Sequence, residues 1–495
     1  MGRYLRHLKA TSGLRFADYG ELWRWSVTEL DAFWSSICTF FDVHLHSPPE
    51  AVLPSRAMPG TRWFPGATLN YAEHLLRPPA DPDATAVIAH SQTRDPRSLT
   101  HAELATHVAR ARAGLRRLGV GPGDRVVAYL PNIPEAVIAF IATASLGAIW
   151  ASCAPEFGVR SVVDRLGQLE PTVLLAVSGY TFRDRPIDVR DRVADIRRAL
   201  PTLSTVVECR KRGIDLAELD LSRLRAIGTA GSPLPADGYR WIYDQLGDEL
   251  LLINGSGGTD VCGGLVSGNP WTPVYLGEIS APCLGVDAKA FDPEGREVVD
   301  QLGELVVTAP MPSMPVGLWG DDDGERLRDT YFSTYPGVWR HGDWVRFSPG
   351  GSCVVAGRSD ATLNRGGVRL GTAEFYRVIE ALPEIADSLV VHVEEDGGPG
   401  ELVVFVVPSD AAGADARDEL GRRVRDALRK ELSPRHAPDR VEIVSGVPRT
   451  LTGKKLEMPI KRILQGHPAE EVVSRGSLRD PGALDDYLDL AARGG

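Results

Sequence analysis

A chain of 495 residues is too long for one compact core, and length alone suggests roughly two to four domains. Hydrophobic residues at 43%, charged residues at 24% and a net charge of −11, with acids and bases interleaved, are ordinary for a soluble protein and argue against a nucleic-acid surface. The six cysteines (Cys38, Cys153, Cys209, Cys262, Cys283, Cys353) lack the close spacing of a zinc site or redox dithiol and read as thiols of a reducing compartment. The N-terminus is basic without the apolar core of a signal peptide, and the longest apolar stretch, 136–154, reads as a buried helix running into a strand. These features point to a cytoplasmic enzyme or binding protein with no membrane partner.

Residues 18–43 mix acids with Trp23, Trp25, Phe33, Trp34, Phe40 and Phe41 and read as short helices packed on a larger body, Asp31 capping one of them. A Pro- and Arg-punctuated loop leads to a helix over 69–76 and a strand over 86–89. Thr100 and Glu103 form a capping box for a helix over 100–118. A buried strand over 125–130 precedes a helix that Pro134 opens. This alternation predicts an α/β fold with a largely parallel sheet. From 285 to 347, short strands separated by Gly and Pro predict a small antiparallel sheet or barrel. Beyond Asp360 a helix over 374–382, strands over 388–393 and 401–407, a charged helix over 415–432 and a strand over 440–444 predict a separate α+β domain.

Four segments carry chemistry. NGSGGTDVCGG (254–264) has the glycines that let backbone approach a flat or anionic ligand, a hydroxyl on Thr259 and a carboxylate on Asp260. A plain glycine-rich turn after strand LLIN is an equal reading. In HGDW (341–344), Asp343 at a strand end can accept two ribose hydroxyls, or can be a turn aspartate. In GRSDATLNRGGVRLGTAE (357–374), Arg358 and Arg369 suit ribose and phosphate, Gly366 and Gly367 permit an unusual backbone path, and Thr372 caps a helix. A solvated loop is the alternative. In PRTLTGKK (448–455) a lysine after Thr-Gly reaches a phosphate or carboxylate, or is an exposed basic turn.

The order and spacing of these segments resemble the adenylate-forming ligases. FADYGELWRWSV, WFPGATLNYAEHLL, GAIWASCAPEFG and PMPSMPVGLW are similar, more narrowly, to acetoacetyl-CoA synthetases, over nearly the whole chain. The resemblance implies a large N-terminal domain (1–359, with an aromatic extension at about 18–75) and a mobile C-terminal domain (361–495) hinged at Asp360. It implies two steps: acetoacetate or a similar short acid attacks the α-phosphorus of ATP to give an acyl-adenylate, and CoA then displaces AMP. It assigns Gly257, Gly258, Thr259 and Asp260 to adenine and Mg2+, Asp343 and Arg358 to ribose, and Arg369, beside Gly367, to phosphate in the thiolation conformation. Lys454 takes the adenylation step, and Gly231, Ser232 and Pro233 of GTAGSPLP line the acyl pocket and adenine.

One element departs from this family. Such ligases carry a Ser/Thr/Gly-rich loop ending in Pro-Lys upstream of GTAGSPLP, around the β- and γ-phosphates, and no such string occurs here. The junction falls near 205–208, so the loop and several elements of the second subdomain are missing. Two readings remain open: a ligase with altered triphosphate handling, or a non-adenylating AMP- or CoA-binding or acyl-transfer descendant, including an inactive truncated form. The deletion also predicts apolar surface and sheet edges covered by repacking or by a protein partner.

Overall fold

The computed structural model describes the chain apart from residues 79–80, 92–93, 183–184, 210–224, 231–233, 235, 248, 360–362, 366–367, 371, 394–399, 410–416, 433, 451–452, 474, 476–477 and 495. For 182, 185, 206–209, 363–365, 368–370, 373–374, 417–418, 435, 471 and 493–494 it describes the backbone alone.

Three helices, Gly2–Ser12, Tyr19–Thr28 and Leu30–Phe40, build the N-terminal extension. The cap is Asp18, whose side chain accepts from the Glu21 N–H at 2.8 Å. Asp31, expected as a cap, instead lies in the first turn of Leu30–Phe40. There its charge favours the positive helix end without satisfying an N–H. Tyr4, Leu8, Leu22 and Phe33 bury one another. Three polar contacts pin this unit to residues 282–286. Tyr19 OH donates to the Pro282 carbonyl (2.7 Å), Trp23 Nε1 to the Val286 carbonyl (3.0 Å), and the Gly285 N–H to Ser26 Oγ (2.8 Å).

The expected parallel sheet forms in the order Ile149–Cys153, Arg125–Tyr129, Val173–Val177, Thr205–Cys209. Every residue of Val173–Val177 is buried, as a parallel strand covered on both faces requires. The capping box of Thr100 and Glu103 opens helix His101–Arg117, and Pro134 opens Pro134–Ser145. Among the described residues no helix is long and apolar enough to cross a membrane.

Among the described residues Thr205–Cys209 is an edge strand. The next sheet likewise begins on one, Ala226–Thr229, followed by Leu251–Gly258, Gly263–Ser267 and Ala281–Pro282. Thus the stretch 210–224 joins two sheet edges, beside the junction expected from the sequence. An antiparallel sheet of Ala288–Phe291, Gly303–Val307, Trp339–Phe347 and Cys353–Arg358 follows, as the short-strand pattern predicted.

Farther on, Ile385–Val393, Glu401–Pro408 and Arg440–Ile443 form a three-stranded sheet. The period of two decides its layers. Leu402, Val404 and Val406 pack with Phe375, Leu420 and Val424, while Val403 and Phe405 pack with Ile460, Leu484 and Tyr487. Helices therefore cover both faces of this α+β unit.

The second sheet is stitched by one buried amide. Thr229 Oγ1 donates to Asn254 Oδ1 (3.0 Å), Asn254 Nδ2 donates to Tyr239 OH (2.8 Å), and Tyr239 OH donates to the Glu278 carbonyl (2.6 Å). Asn254→Ala removes both side-chain bonds of this amide, leaving the part-buried Thr229 hydroxyl without its acceptor, and should cost about 1–3 kcal/mol. A lower urea midpoint for the variant checks this.

Candidate active site

Strands Ala226–Thr229 and Leu251–Gly258 run parallel, with Thr229 beside Asn254, so the two glycine-bearing motifs leave the sheet side by side at its carboxyl end. That end of a parallel sheet is where open α/β folds bind ligands. The glycine run is not the loop that its composition suggested. Gly255 to Gly258 continue the strand and pair with Gly263–Ser267, leaving only Thr259 to Cys262 as the turn. A strand of glycines lets a neighbour approach its backbone. A Cβ on Gly258 would lie 2.7 Å from His341 Cε1.

His341 is the neighbour in question. Trp339, His341 and Asp343 lie along Trp339–Phe347, where an irregularity at Gly342 (φ 87°) interrupts the ladder and brings the His341 and Asp343 side chains together. Asp343 therefore sits within the strand rather than at its end, as the motif alone had suggested, and it is buried. Trp339 Nε1 donates to His341 Nδ1 (3.4 Å), which leaves Nε2 to carry the proton, and the ring lies against Gly257 and Gly258 of the hairpin. Asp343 Oδ2 is 3.7 Å from His341 Nε2, and Asp343 Oδ1 is 3.6 Å from Arg358 Nη1 on the paired strand. Burial holds the imidazole below its ordinary value, against the opposing pull of Asp343, so His341 is neutral at neutral pH.

The turn carboxylate is found in the same place. Asp260, exposed, lies beside the Tyr331 hydroxyl, and the Tyr331 ring stacks on Trp339 with centroids 3.8 Å apart. Burial first, then the neighbouring Asp260 carboxylate, push the Tyr331 phenol up to about 12. The crevice therefore gathers Gly257, Gly258, Asp260, Asp343 and Arg358, with the Arg358 side chain 54% exposed at its mouth.

Beneath it lies a residue that the motifs did not single out. Glu304, buried, accepts from the Gly342 N–H (3.1 Å) and Ser359 Oγ (2.9 Å) through Oε1. Its Oε2 lies 3.2 Å from Arg340 Nε, outside the N–H direction, and forms an ion pair rather than a hydrogen bond. Burial pushes this carboxyl up, and Arg340 counters it. Glu304 thus fixes Gly342, whose φ of 87° places a would-be Cβ 2.8 Å from Arg358 Nη2. His341, Tyr331 and Glu304 are the site residues that sequence reasoning missed. Only His341, two residues before Asp343 in a strand, carried a signal.

The other expected residues stand apart. Lys454 is exposed. Its N–H donates to Thr450 Oγ1 (3.0 Å) and its carbonyl accepts from the Thr450 N–H (2.8 Å), closing a turn that contains Gly453 at φ 89°. Arg369 is described in backbone only, paired with Asn364 in a two-stranded hairpin. Gly231, Ser232, Pro233, Gly367 and Asp360 lie outside the described residues.

Family models match the segments on either side of this crevice. A model described as "AMP-binding enzyme" matches residues 77–214, one for the N-terminus of acetyl-coenzyme A synthetase matches 19–75, and one for the C-terminal domain of AMP-binding enzymes matches 377–454. The fold is that of the adenylate-forming ligases. The acetoacetyl-coenzyme A synthetase of Rhizobium meliloti is 30% identical over 97% of this chain and 94% of its own length, and that of Mus musculus 29% over 99% and 95%. The solved acetoacetyl-CoA synthetase of Streptomyces lividans superposes with a TM-score of 0.90 at 36% identity, covering 100% of this chain and 97% of that one. The chain belongs to the acetoacetyl-CoA synthetase family. An anthranilate CoA ligase solved with anthranoyl-AMP shares the fold, with a TM-score of 0.64 at 17% identity over 80% of this chain and 96% of that one.

The comparison also carries the departure. The Rhizobium alignment spans 622 positions against 495 residues here, so gaps of more than a hundred positions fall inside a match that covers nearly all of both chains. The AMP-binding match ends at residue 214, just past the expected junction.

Gly258→Ala should force His341 aside and lower AMP affinity at least tenfold, measured by calorimetry on folded protein. Acid should also act on His341. The unfolded chain takes up its proton first, so the stability that neutral His341 supplies is complete above about pH 6.5 and shrinks as pH falls toward the lower folded-state value. The thermal midpoint of His341→Gln should therefore fall less than that of wild type between about pH 7 and pH 5.5.

Proposed function

We propose that this chain is an acyl-CoA ligase of the AMP-forming type acting on acetoacetate or a similar short acid, with its adenosine and thioester side retained and its triphosphate side weakened. The observation that carries this reading is the single crevice formed by the glycine hairpin, Asp343 and Arg358. Exposed Gly257 backbone, Thr259, Asp260 and Arg358 ring the opening, which fits a nucleotide lying against the hairpin.

In the first step a carboxylate oxygen of the acid bonds to the α-phosphorus of ATP as the bond to pyrophosphate breaks. In the second, the CoA thiolate bonds to the acyl carbon and AMP leaves. Asp343 accepts the ribose hydroxyls, and Arg358 closes on the same sugar. Gly231, Ser232 and Pro233 border adenine and the acyl group. Asp260, beside Tyr331, is the carboxylate available to Mg2+, an ion that is content with one or two carboxylates beside phosphate oxygens and neutralises phosphate charge when bound. Lys454 brings an ammonium to the charge that develops between carboxylate and phosphate. Arg369, beside Gly367, serves the second step after residues 361–495 turn about Asp360.

The absent phosphate loop favours a second reading, in which the chain binds AMP or an acyl-adenylate and transfers an acyl group activated elsewhere. Calorimetry with ATP and AMP, followed by pyrophosphate release with acetoacetate, separates the two. Slow pyrophosphate release with AMP bound more tightly than ATP supports the ligase reading. No release, with thioester still formed from supplied acetoacetyl-adenylate and CoA, supports the transfer reading. Lys454→Ala should slow pyrophosphate release by about 100-fold or more while sparing thioester formation from the supplied adenylate.

A further inference from the structure

Away from the crevice, one cluster joins side chains of the type that a transition metal takes. His44 and His46 stand two residues apart on the chain that leaves helix Leu30–Phe40, with ring centroids 5.1 Å apart. Glu73 projects from helix Tyr71–Leu75 between them. Its Oε2 is 2.7 Å from His46 Nε2, and its Oε1 is 3.8 Å from His44 Nε2. One donor atom from each residue lies within 4.8 Å of the other two. Bonds of about 2.1 Å in a tetrahedral site hold neighbouring ligand atoms about 3.4 Å apart, so modest side-chain rotation completes this set.

The backbones that carry the three groups are fixed by bonds that involve none of the ligand atoms. The His44 N–H donates to His74 Nε2 (2.8 Å), and His74 Nδ1 is 3.2 Å from the Asn70 carbonyl. The His46 N–H donates to the Thr68 carbonyl (2.7 Å). Arg77 Nη1 donates to both the carbonyl (2.5 Å) and the carboxylate (2.9 Å) of Asp42. Asn70 caps the helix through the Ala72 N–H (2.9 Å) and donates to the Ala144 carbonyl (3.1 Å), which ties the helix to Pro134–Ser145. The backbones of the donors are therefore fixed, and His44 and Glu73 open on a surface cleft lined also by Leu76, Arg77 and Pro78.

We propose that His44, His46 and Glu73 bind one divalent transition metal of the zinc class, with the fourth position open to water, clamping the end of the N-terminal extension to helix Tyr71–Leu75. Two imidazoles and one carboxylate suit such a borderline ion. Mg2+, which prefers an octahedron of oxygens, does not suit them, so this site differs in chemistry from the one proposed at Asp260. All three side chains are 41–50% exposed, which leaves the site accessible and makes a surface His46–Glu73 ion pair the competing explanation.

Metal-free, untagged full-length protein is titrated with Co2+ and followed in the visible and near-ultraviolet, then challenged with Zn2+. One equivalent of Co2+ with four- or five-coordinate d–d bands and no thiolate charge-transfer band is expected, with displacement by Zn2+ and a thermal midpoint that rises with Zn2+ concentration. Glu73→Gln, His44→Gln and His46→Gln, each checked for folding without metal, should weaken Co2+ binding by about 10–100-fold or more. No uptake by wild type, uptake unchanged in all three variants, or a thiolate band would overturn the proposal.

Discussion

The antiparallel sheet and the glycine hairpin meet at His341, which is covalently part of one and packed against Gly258 of the other. A buried imidazole holds that place as the neutral form, with Nδ1 accepting from Trp339 and Nε2 carrying the proton. Its fit requires that position 258 have no side chain, and its aim requires the turn of backbone that only glycine takes readily at 342. Glu304 holds that turn from beneath and, through Ser359, also holds the end of the strand that carries Arg358. Asp343, Arg358 and Asp260 are therefore placed by the same few buried contacts. Each such hydrogen bond is worth only about 1 kcal/mol when intact, but a buried partner left unpaired costs more, which is why the set behaves as a unit.

A second constraint comes from what lies beside the hairpin. Among the described residues, the cluster under helix Ala236–Leu246 consists of Tyr239, Ile242, Leu250 and Leu252, whereas the first sheet is sealed by a much larger core. This layer is tied to its neighbour: Tyr239 bonds the Glu278 carbonyl, and Ile279 exchanges backbone bonds with Cys353 of the antiparallel sheet. Trp241 on this helix is 64% exposed.

Local rules made much of this legible. The Thr100–Glu103 capping box, Pro134 at a helix start and the apolar run read as a strand over 401–407 act within a few residues, and the structure realises each of them. Asp31 was misplaced because an acidic side chain is favourable both at a cap and within the first turn, and the sequence does not distinguish those positions. The glycine run read as a loop because glycine weakens strands. Here pairing with Gly263–Ser267 overrides that preference, and the glycines serve close approach by His341. Glu304 and Tyr331 were invisible for a different reason. Their partners are 38 and 71 residues away in Gly342 and Asp260, and no pattern along the chain encodes a contact of that kind.

The charges that these contacts gather bear on which nucleotide the crevice prefers. Asp260 and Asp343 bring two carboxylates to its walls, His341 is neutral, and Arg358 is the cation that the described contacts place among them. A single phosphate can be met by Arg358 and exposed glycine amides. The further phosphates of ATP add negative charge beside those carboxylates, and the loop amides and hydroxyls that would receive them are not encoded. The cost falls unevenly on the two proposed steps. Leaving pyrophosphate gathers charge in the transition state of adenylation and needs donors aimed at it, whereas thioester formation expels AMP, whose contacts are those the chain keeps. On the proposed mechanism, losing the loop would bias the cycle toward its second half, and a chain so altered would gain more from an adenylate delivered to it than from ATP.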